Sequence, residues 1–570
     1  MAVSKNLFPV TVDRNVAVAM RDGTVLCADI YRPKANRGFP VLVERTPYSK
    51  ERDPEKGARI AERGFVYVVQ DVRGRYASDG EFGAGFFRAE HTDSEDGYDT
   101  IEWAAALPYS NGNVGTVGTS YAGWTQMELA HVRPPHLKAI MPQAIVANLL
   151  DREMSGVLRL GRVLWWTINT LAPDQRVRAK TARPTEDVSE AERLWTERDR
   201  GKWLWFLPLQ EIPDDAMFAM GPHWRHWLEN HAVDNFRFEA KHWNIEVPAL
   251  VTTGWYDQQI GSIKNFTGMA EHAATEEARR GSRLIVGPWT HVGPDFERTV
   301  GRMDFGADAA RDYYEIAARW FGHWLRDEES NLGDWPRVQL FVMGANRWRH
   351  EDEWPIKGTR YTEFFIHSSG NANTPQGDGL LSVEPPGNEP PDEYSYDPRD
   401  PVMTLYSPAG QSEPHDQRLL DERTDVLRYA TPPLETPVEV TGPITMKLWA
   451  ASSARDTDFV VKLMDVWPDG FTQELCYGIV RARYRESFES PSLLDPGRPY
   501  EFTFAVNPTG NLFKIGHRIR VDVSSSDFPN FDRNHNTGGD DYGESKLVTA
   551  RQTVFHDEEH PSRIILPLVP

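Results

Sequence analysis

Cysteine is nearly absent: Cys27 and Cys476 are the only two among 570 residues. They are too few and too far apart for a disulfide framework or a four-ligand metal site. No CxxC or HExxH pattern occurs, and His223 and His226 have no companions at ligand spacing, so neither a metal nor a redox cofactor is called for. No uncharged apolar run reaches the roughly 18 residues of a membrane span. The start, MAVSKNLFPVTVDRNVAVAM, lacks the apolar stretch of a secretory signal. The expectation is a cytoplasmic chain with no membrane partner. Positive charge is in deficit, with 63 Lys and Arg against 84 Asp and Glu and a net charge of −21. Such a surface repels phosphate backbones and anionic head groups, which excludes nucleic acid as a partner.

What is present is a long chain of ordinary globular composition, 40% hydrophobic and 26% charged. Its length is several times the usual domain of roughly 100–200 residues. Short β-branched runs alternate with helical segments in the first part, the pattern of a sheet with helices on its faces. Strands are predicted at Val16–Met20 and Val25–Tyr31, joined through Asp22-Gly23 as a hairpin, and then at Pro40–Val43, Phe65–Val69, Val114–Gly118, Leu137–Met141, Ala249–Thr252 and Arg283–Val286. The later strands are separated by helix-length connections and are expected to be parallel.

Between the sixth and seventh strands the rhythm breaks. An insertion there carries Trp165, Trp166, Trp195, Trp203, Trp205, Trp224, Trp227 and Trp243, eight of the chain's 19 tryptophans. Charges at helical spacing, as in SEAERLWTERDRGKWLWF, predict mostly helix. These rings serve either a small core of their own or an apolar wall over a substrate. After about residue 355 come alternating strands punctuated by proline and glycine, such as Ile444–Leu448 and Arg518–Val523, which predict a β-sandwich or jelly roll. The expected division is residues 1–145 and 245–354 for an α/β body, 146–244 for a helical cap and 355–570 for the jelly roll.

The strand Val114–Gly118 runs into Thr119-Ser120 and then into helical sequence from Tyr121, so Ser120 sits at a sharp strand-to-helix turn. A nucleophile elbow has this placement, with glycine two residues before the serine. Ala122 takes the place of the usual second glycine, and Gly123 follows. Chain order in hydrolase sheets then asks for an acid and a histidine after later strands. Asp257 follows Ala249–Thr252, and His291 follows Arg283–Val286. Taken singly, Asp257 reads as a turn or cap residue and His291 as one of 17 histidines. Together, in order and on one edge, the three point to a serine hydrolase.

With these residues in hand, the sequence resembles the cocaine-esterase and X-Pro dipeptidyl-peptidase hydrolases. The likeness rests on Arg45-Thr46-Pro47-Tyr48, Asp71-Val72-Arg73-Gly74-Arg75, Asp96–Trp103, Gly118–Tyr121, Gly254–Asp257 and Gly287–His291, and further on at Met343–Trp348, Asp397–Pro401, Ser452–Phe459 and Arg481–Arg485. It implies an α/β-hydrolase body, an inserted helical cap and a C-terminal jelly roll. It makes Ser120 the nucleophile, His291 the general base and acid, and Asp257 its orienting partner, with an oxyanion hole from the Tyr121 N–H and the Tyr48 hydroxyl. Trp165, Trp166 and Trp255 are the expected pocket residues.

Asp71–Arg75 and the acidic run Glu90–Asp99 read as structural, the first as an Arg/Asp-laced loop near the mouth and the second as a helix start. Family members that take a free α-amino group hold it with carboxylates just after the catalytic aspartate. Here Gln258 and Gln259 stand there, leaving Glu211, Asp214 or Asp215 of the cap as substitutes. A carboxylesterase acting on small esters with an apolar or aromatic acyl part is therefore expected. The alternatives are an acylase or dipeptidyl peptidase acting on amide or aminoacyl substrates and, from another class, a non-catalytic jelly-roll binder. The sequence leaves monomer or homo-oligomer open.

Overall fold

In a computed structural model of the chain, the described residues are 7–83, 92–148, 156–178, 201–217, 220–230, 238–258, 260–291, 295–326, 334–374, 376–405 and 414–570. The hairpin forms between β1 (Val10–Ala19) and β2 (Val25–Pro33). β1 begins earlier than its alternation suggests. A bulge between Asp13 and Val16, with Asn15 at φ 53°, interrupts the period there. The other six expected strands are β3 (Phe39–Thr46), β4 (Val66–Asp71), β5 (Ser110–Thr119), β6 (Leu137–Gln143), β7 (Leu250–Gly254) and β8 (Arg283–Gly287), parallel to one another along the sheet. Two more extend it: β9 (Val338–Val342), parallel to β8, and β10 (Arg347–Glu351), antiparallel to β9. The order is β1-β2-β4-β3-β5-β6-β7-β8-β9-β10.

Both faces of this sheet are covered. Val41, Val43, Val66 and Val68 pack into one core, and Leu42, Tyr67, Val69 and Val117 into another. That is why the parallel strands read as continuous apolar runs. Helices α1 (Pro54–Glu62), α2 (Asp93–Ala105) and α3 (Tyr121–Ala130) follow β3, β4 and β5, and every residue of α3 is buried.

Between β6 and β7 lies the cap. It contains α4 (Leu160–Trp165), which passes into a π-helical segment, Trp166–Leu171, and then α5 (Ala172–Arg178) and α6 (Gly221–Glu229). Of the stretch predicted helical from its charges, 189–200 and with it Trp195 lie outside the described residues, and 201–206 form turns. Trp224 and Trp227 are core residues of the cap, Trp224 donating its indole N–H to the Leu209 carbonyl at 3.0 Å, whereas Trp243 is largely exposed. The helix α7 (Tyr313–Arg326) packs Trp320, Phe321 and Leu325 inward.

The C-terminal part is a jelly roll, of eleven strands among the described residues, built around the long antiparallel pair Val438–Ser452 and Tyr500–Phe513. Burial alternates through Ile444–Leu448 as expected. Arg518–Ser524 differs, because it is an inner strand covered on both faces. Its polar positions Arg520 and Asp522 are buried as a bidentate pair at 2.7 and 2.9 Å, with Asp421 also on the guanidinium. The jelly roll contacts both other parts. Backbone bonds join Met343 to Gly510 and Leu512, and Gly161 and Leu158 of the cap to Pro529 and Asp532. Among the described residues no helix is long and apolar enough to cross a membrane.

Candidate active site

The turn after β5 is strained at Ser120, which has φ 61° and ψ −120°. A non-glycine residue there costs on the order of 1–3 kcal/mol and persists only when its surroundings hold it. They do so here: the Ser120 N–H donates to Gln143 O of β6 at 3.0 Å, and Ser120 O accepts from the N–H groups of Gly123 and Trp124 at 2.8 and 2.9 Å. Gly118, at φ 140°, has no room for a side chain, since a Cβ would lie 2.5 Å from that of Ala122. Gly123 meets β6 closely, where a Cβ would be 2.8 Å from Gln143 O. The one-residue displacement of the second glycine thus follows the helix's actual approach to the sheet.

Asp257 and His291 leave adjacent strands whose pairing continues past their ends. Gly254 lies opposite Gly287, and beyond them the Trp255 N–H donates to Gly287 O at 2.9 Å and the Tyr256 N–H to Trp289 O at 3.0 Å. A Cβ on Gly254 would stand 2.0 Å from Trp289 O, so the two loops can approach only with glycine there. His291 Nδ1 is 2.9 Å from Asp257 Oδ1, and the aspartate is buried. Engaging Nδ1 leaves Nε2 as the ring nitrogen that can serve a nucleophile.

Tyr48 follows β3, and its hydroxyl lies 3.5 Å from Ser120 Oγ. The loop that carries it is held from the segment after β4. The Asp71 carboxylate accepts from the Lys50 N–H at 2.7 Å and from the Ala77 N–H at 3.3 Å. Burial pushes the Asp71 carboxyl up to about 6, these donors opposing the rise. Arg75 is fully buried and donates Nε to Pro47 O at 2.9 Å, Nη1 to Leu171 O at 2.8 Å and Nη2 to Thr170 O at 3.1 Å, with Asp174 at 3.4 Å. One guanidinium therefore joins the Tyr48 loop to the π-helical segment of the cap. Reading Asp71–Arg75 as merely charge-laced missed this. The signal was a pair of charged residues at a buried strand end, where each must find a partner. Of the acidic run, Glu90 lies outside the described residues. Asp93 and Asp96 begin α2 and pair with Arg45 and Arg73.

The Tyr121 ring is surrounded by Trp124, Phe82 and Trp166, with centroids 4.8, 6.1 and 6.4 Å away. Trp166 thus stands beside the elbow, and Trp165 next to it is also partly exposed. Trp255 does not join them. Its indole is buried, donates to Phe341 O at 2.7 Å and packs against Gly510, so it belongs to the junction of body and jelly roll. It was expected in the pocket, but its ring is taken up by these contacts between the body and the jelly roll. Beside it lies a cavity of about 10 Å³, lined by Trp255, Asp257, Glu474 and Tyr477 among others, with room for no more than a water molecule.

Glu211, Asp214 and Asp215 are exposed on the cap, Asp214 paired with Arg225 at 2.9 Å, and are not gathered at the site. Gln258 is buried and accepts from Arg162 Nη1 at 2.9 Å. Gln259 lies outside the described residues. Among the described residues no group of His, Cys, Asp and Glu is arranged to hold a metal ion, His223 and His226 included.

Residues 22–293 match the model of the X-Pro dipeptidyl-peptidase (S15 family), and residues 331–565 that of the X-Pro dipeptidyl-peptidase C-terminal non-catalytic domain. The cocaine esterase of Rhodococcus sp. (strain MB1 Bresler) is 38% identical over 98% of this chain and 99% of its own. Among solved structures, an α-amino acid ester hydrolase superposes with a TM-score of 0.85 at 26% identity, covering 100% of this chain and 98% of that one. An aminopeptidase from a marine sediment Thaumarchaeota archaeon gives 0.80 at 26%, with the same coverage. The chain belongs to the cocaine-esterase and X-Pro dipeptidyl-peptidase family of serine hydrolases.

Proposed function

We propose that this hydrolase cleaves small carboxylic esters through an acyl-enzyme formed on Ser120, with His291 as general base and acid and Asp257 as its orienting partner. The observation that carries the reading is the His291–Asp257 contact of 2.9 Å, formed past the ends of β7 and β8 in the same parallel sheet whose strand β5 ends in the strained Ser120. Ser120 Oγ attacks the ester carbonyl while its proton passes to His291 Nε2, and the buried Asp257 carboxylate stabilises the imidazolium that results. The carbonyl oxygen becomes an oxyanion between the Tyr48 hydroxyl and the Tyr121 N–H. His291 then returns the proton to the departing alkoxide, and water releases the acid by the same steps in reverse.

Ester rather than amide cleavage is supported by two points. An alkoxide departs with less protonation than an amine requires, and the cap carboxylates that could have held a free α-amino group, Glu211, Asp214 and Asp215, are exposed, with Asp214 paired to Arg225. Fluorophosphonate labelling that disappears in Ser120→Ala tests the nucleophile and separates an enzyme from a jelly-roll binding protein. Turnover of an aryl ester against its anilide tests the bond, and faster anilide cleavage would overturn the ester reading.

A further inference from the structure

The loop after β7 meets the jelly roll through three consecutive residues. The Trp255 ring packs on Gly510 of the strand Tyr500–Phe513, where a Cβ would stand 2.9 Å from it. The Tyr256 hydroxyl accepts a hydrogen bond from Gln473 Nε2 at 2.8 Å, and both side chains are buried. Asp257 lines the cavity of about 10 Å³ together with Glu474, Leu475 and Tyr477. Gln473 and these three residues belong to the strand Thr472–Arg481, which pairs along its length with Asp458–Val466. The acid of the proposed triad is therefore carried on a loop that the body and the jelly roll hold jointly.

Of these contacts, the one at Tyr256 bears most directly on the aspartate. The N–H groups of Trp255 and Tyr256 bond to Gly287 O and Trp289 O, in the segment that leads to His291. Bonds along one edge fix the register but allow the loop to turn about that edge. The phenol opposes the turn, because it has only two side-chain torsions and holding its hydroxyl end holds the backbone one residue before Asp257. A buried hydroxyl needs a partner, and Gln473 supplies it from a paired strand. The contact protected in this way is short: Asp257 Oδ1 lies 2.9 Å from His291 Nδ1, and a displacement of about 1 Å in a catalytic group can cost about a hundredfold in rate.

We infer that Gln473 is a positioning residue of this hydrolase: from the jelly roll, and through the Tyr256 hydroxyl, it holds Asp257 against His291. The inference rests on the proposed triad and adds to it a group from outside the α/β body. The jelly roll thus takes part in catalysis without touching the reacting atoms.

The test is a double-mutant cycle between Gln473→Leu and Asp257→Asn in the full chain, with phenyl acetate as substrate and folding checked by circular dichroism. Gln473→Leu is expected to lower kcat by about tenfold or more, with KM within about twofold of wild type. In the Asp257→Asn background the same substitution should lower kcat less than about twofold, because the carboxylate through which it acts is gone. Tyr256→Phe breaks the bond from its other end. It should reproduce the loss in kcat, and it takes the place of Gln473→Leu in the cycle if that variant does not fold. A role in stability alone would lower Tm and leave kcat unchanged wherever the variants are folded. Unchanged kcat, or an equal loss in both backgrounds, overturns the inference while leaving the triad in place. Wild-type turnover in Asp257→Asn, or absence of fluorophosphonate labelling in the wild type, overturns the triad reading and the inference with it.

Discussion

Arg75 offers the most demanding test of how the cap is coupled to catalysis. Its guanidinium spans two structures: Pro47 O, one residue before Tyr48, and the carbonyls of Thr170 and Leu171 at the end of the π-helical segment. Removing the charge in Arg75→Met takes a donor from three carbonyls and the cation from beside the buried Asp174 carboxylate, a loss of about 3–5 kcal/mol that threatens the fold itself. Arg75→Lys is more informative. An ammonium keeps its charge beside Asp174 but, being a point rather than a fork, cannot reach Pro47 O and the cap carbonyls together.

One or two charged hydrogen bonds of about 1.5–3 kcal/mol each are then lost, shared between stability and the aim of the Tyr48 hydroxyl. If about 1.4–2.8 kcal/mol appears in the transition state, kcat for an aryl ester falls about 10- to 100-fold with little change in KM. The assay is a double-mutant cycle with Tyr48→Phe. Once the hydroxyl is gone, Arg75→Lys should lower kcat less than about twofold, because it acts through that hydroxyl. Arg178→Lys is the control. Arg178 ties α5 to the carbonyls of Tyr76, Ser78 and Gly80 at 2.9–3.0 Å without touching the Tyr48 loop, so Tm should fall and kcat hold. An equal loss from Arg75→Lys in both backgrounds would refute the coupling and leave Arg75 a structural clamp.

Tyr48→Phe alone should lower kcat by about 10²–10³ with the fold intact by circular dichroism, and unchanged turnover would remove the hydroxyl from the oxyanion hole. Gly118→Ala forces a Cβ to within 2.5 Å of Ala122 at φ 140°, so the fluorophosphonate labelling rate should drop by at least about tenfold as the elbow shifts. In the jelly roll, burial pushes Asp532 up to about 7 against the attraction of Arg481, whose Nη2 lies 3.1 Å from both carboxylate oxygens. The folded chain therefore holds a proton that the unfolded chain, with a carboxylate near 3.9, has released, and stability falls as pH rises between about 4 and 7. Asp532→Asn should flatten Tm over that window. Burial disfavours the His556 imidazolium, but Asp392 at 3.0 Å and Glu389 at 3.1 Å outweigh it and raise the group. Its contribution is full below about 6.5 and is lost as pH rises through the elevated value, so His556→Gln should lower Tm most at acidic pH.

The sheet was legible because a strand buried on both faces is apolar along most of its length, as in Val66–Val69 before the buried Gln70 and Asp71, and such runs survive any uncertainty about topology. Edge strands carry no such mark. Arg347–Glu351 reads as a charged segment, since it pairs along one side only and exposes much of its surface. The inner strand Arg518–Ser524 failed in the opposite direction. Alternation predicts a solvent-facing side wherever polar residues recur, yet Arg520 and Asp522 neutralise each other and can be covered. Pattern reveals which residues tolerate burial alone, not which are buried in pairs.

The proposed catalytic edge divides along the same line. Ser120, Asp257 and His291 could be singled out because each follows a strand, and chain order supplies their sequence along the sheet. What no pattern supplies is register. Asp257 stands three residues past Gly254 and His291 four past Gly287, and they meet because those glycines lie opposite each other. A slip of one residue would turn one side chain to the other face. The register is fixed by contacts with no local sequence signature: Tyr256 N–H to Trp289 O, the 2.0 Å space that only glycine leaves at position 254, and the anchoring of Trp255 on Phe341 O. Trp255 was misread as a pocket residue for this reason. It is spent on holding the loop that presents Asp257, just as Arg75 is spent on the loop that presents Tyr48. The groups proposed to react were singled out from the chemistry they need, and the groups that hold their loops emerged only once the backbone showed which carbonyls they reach.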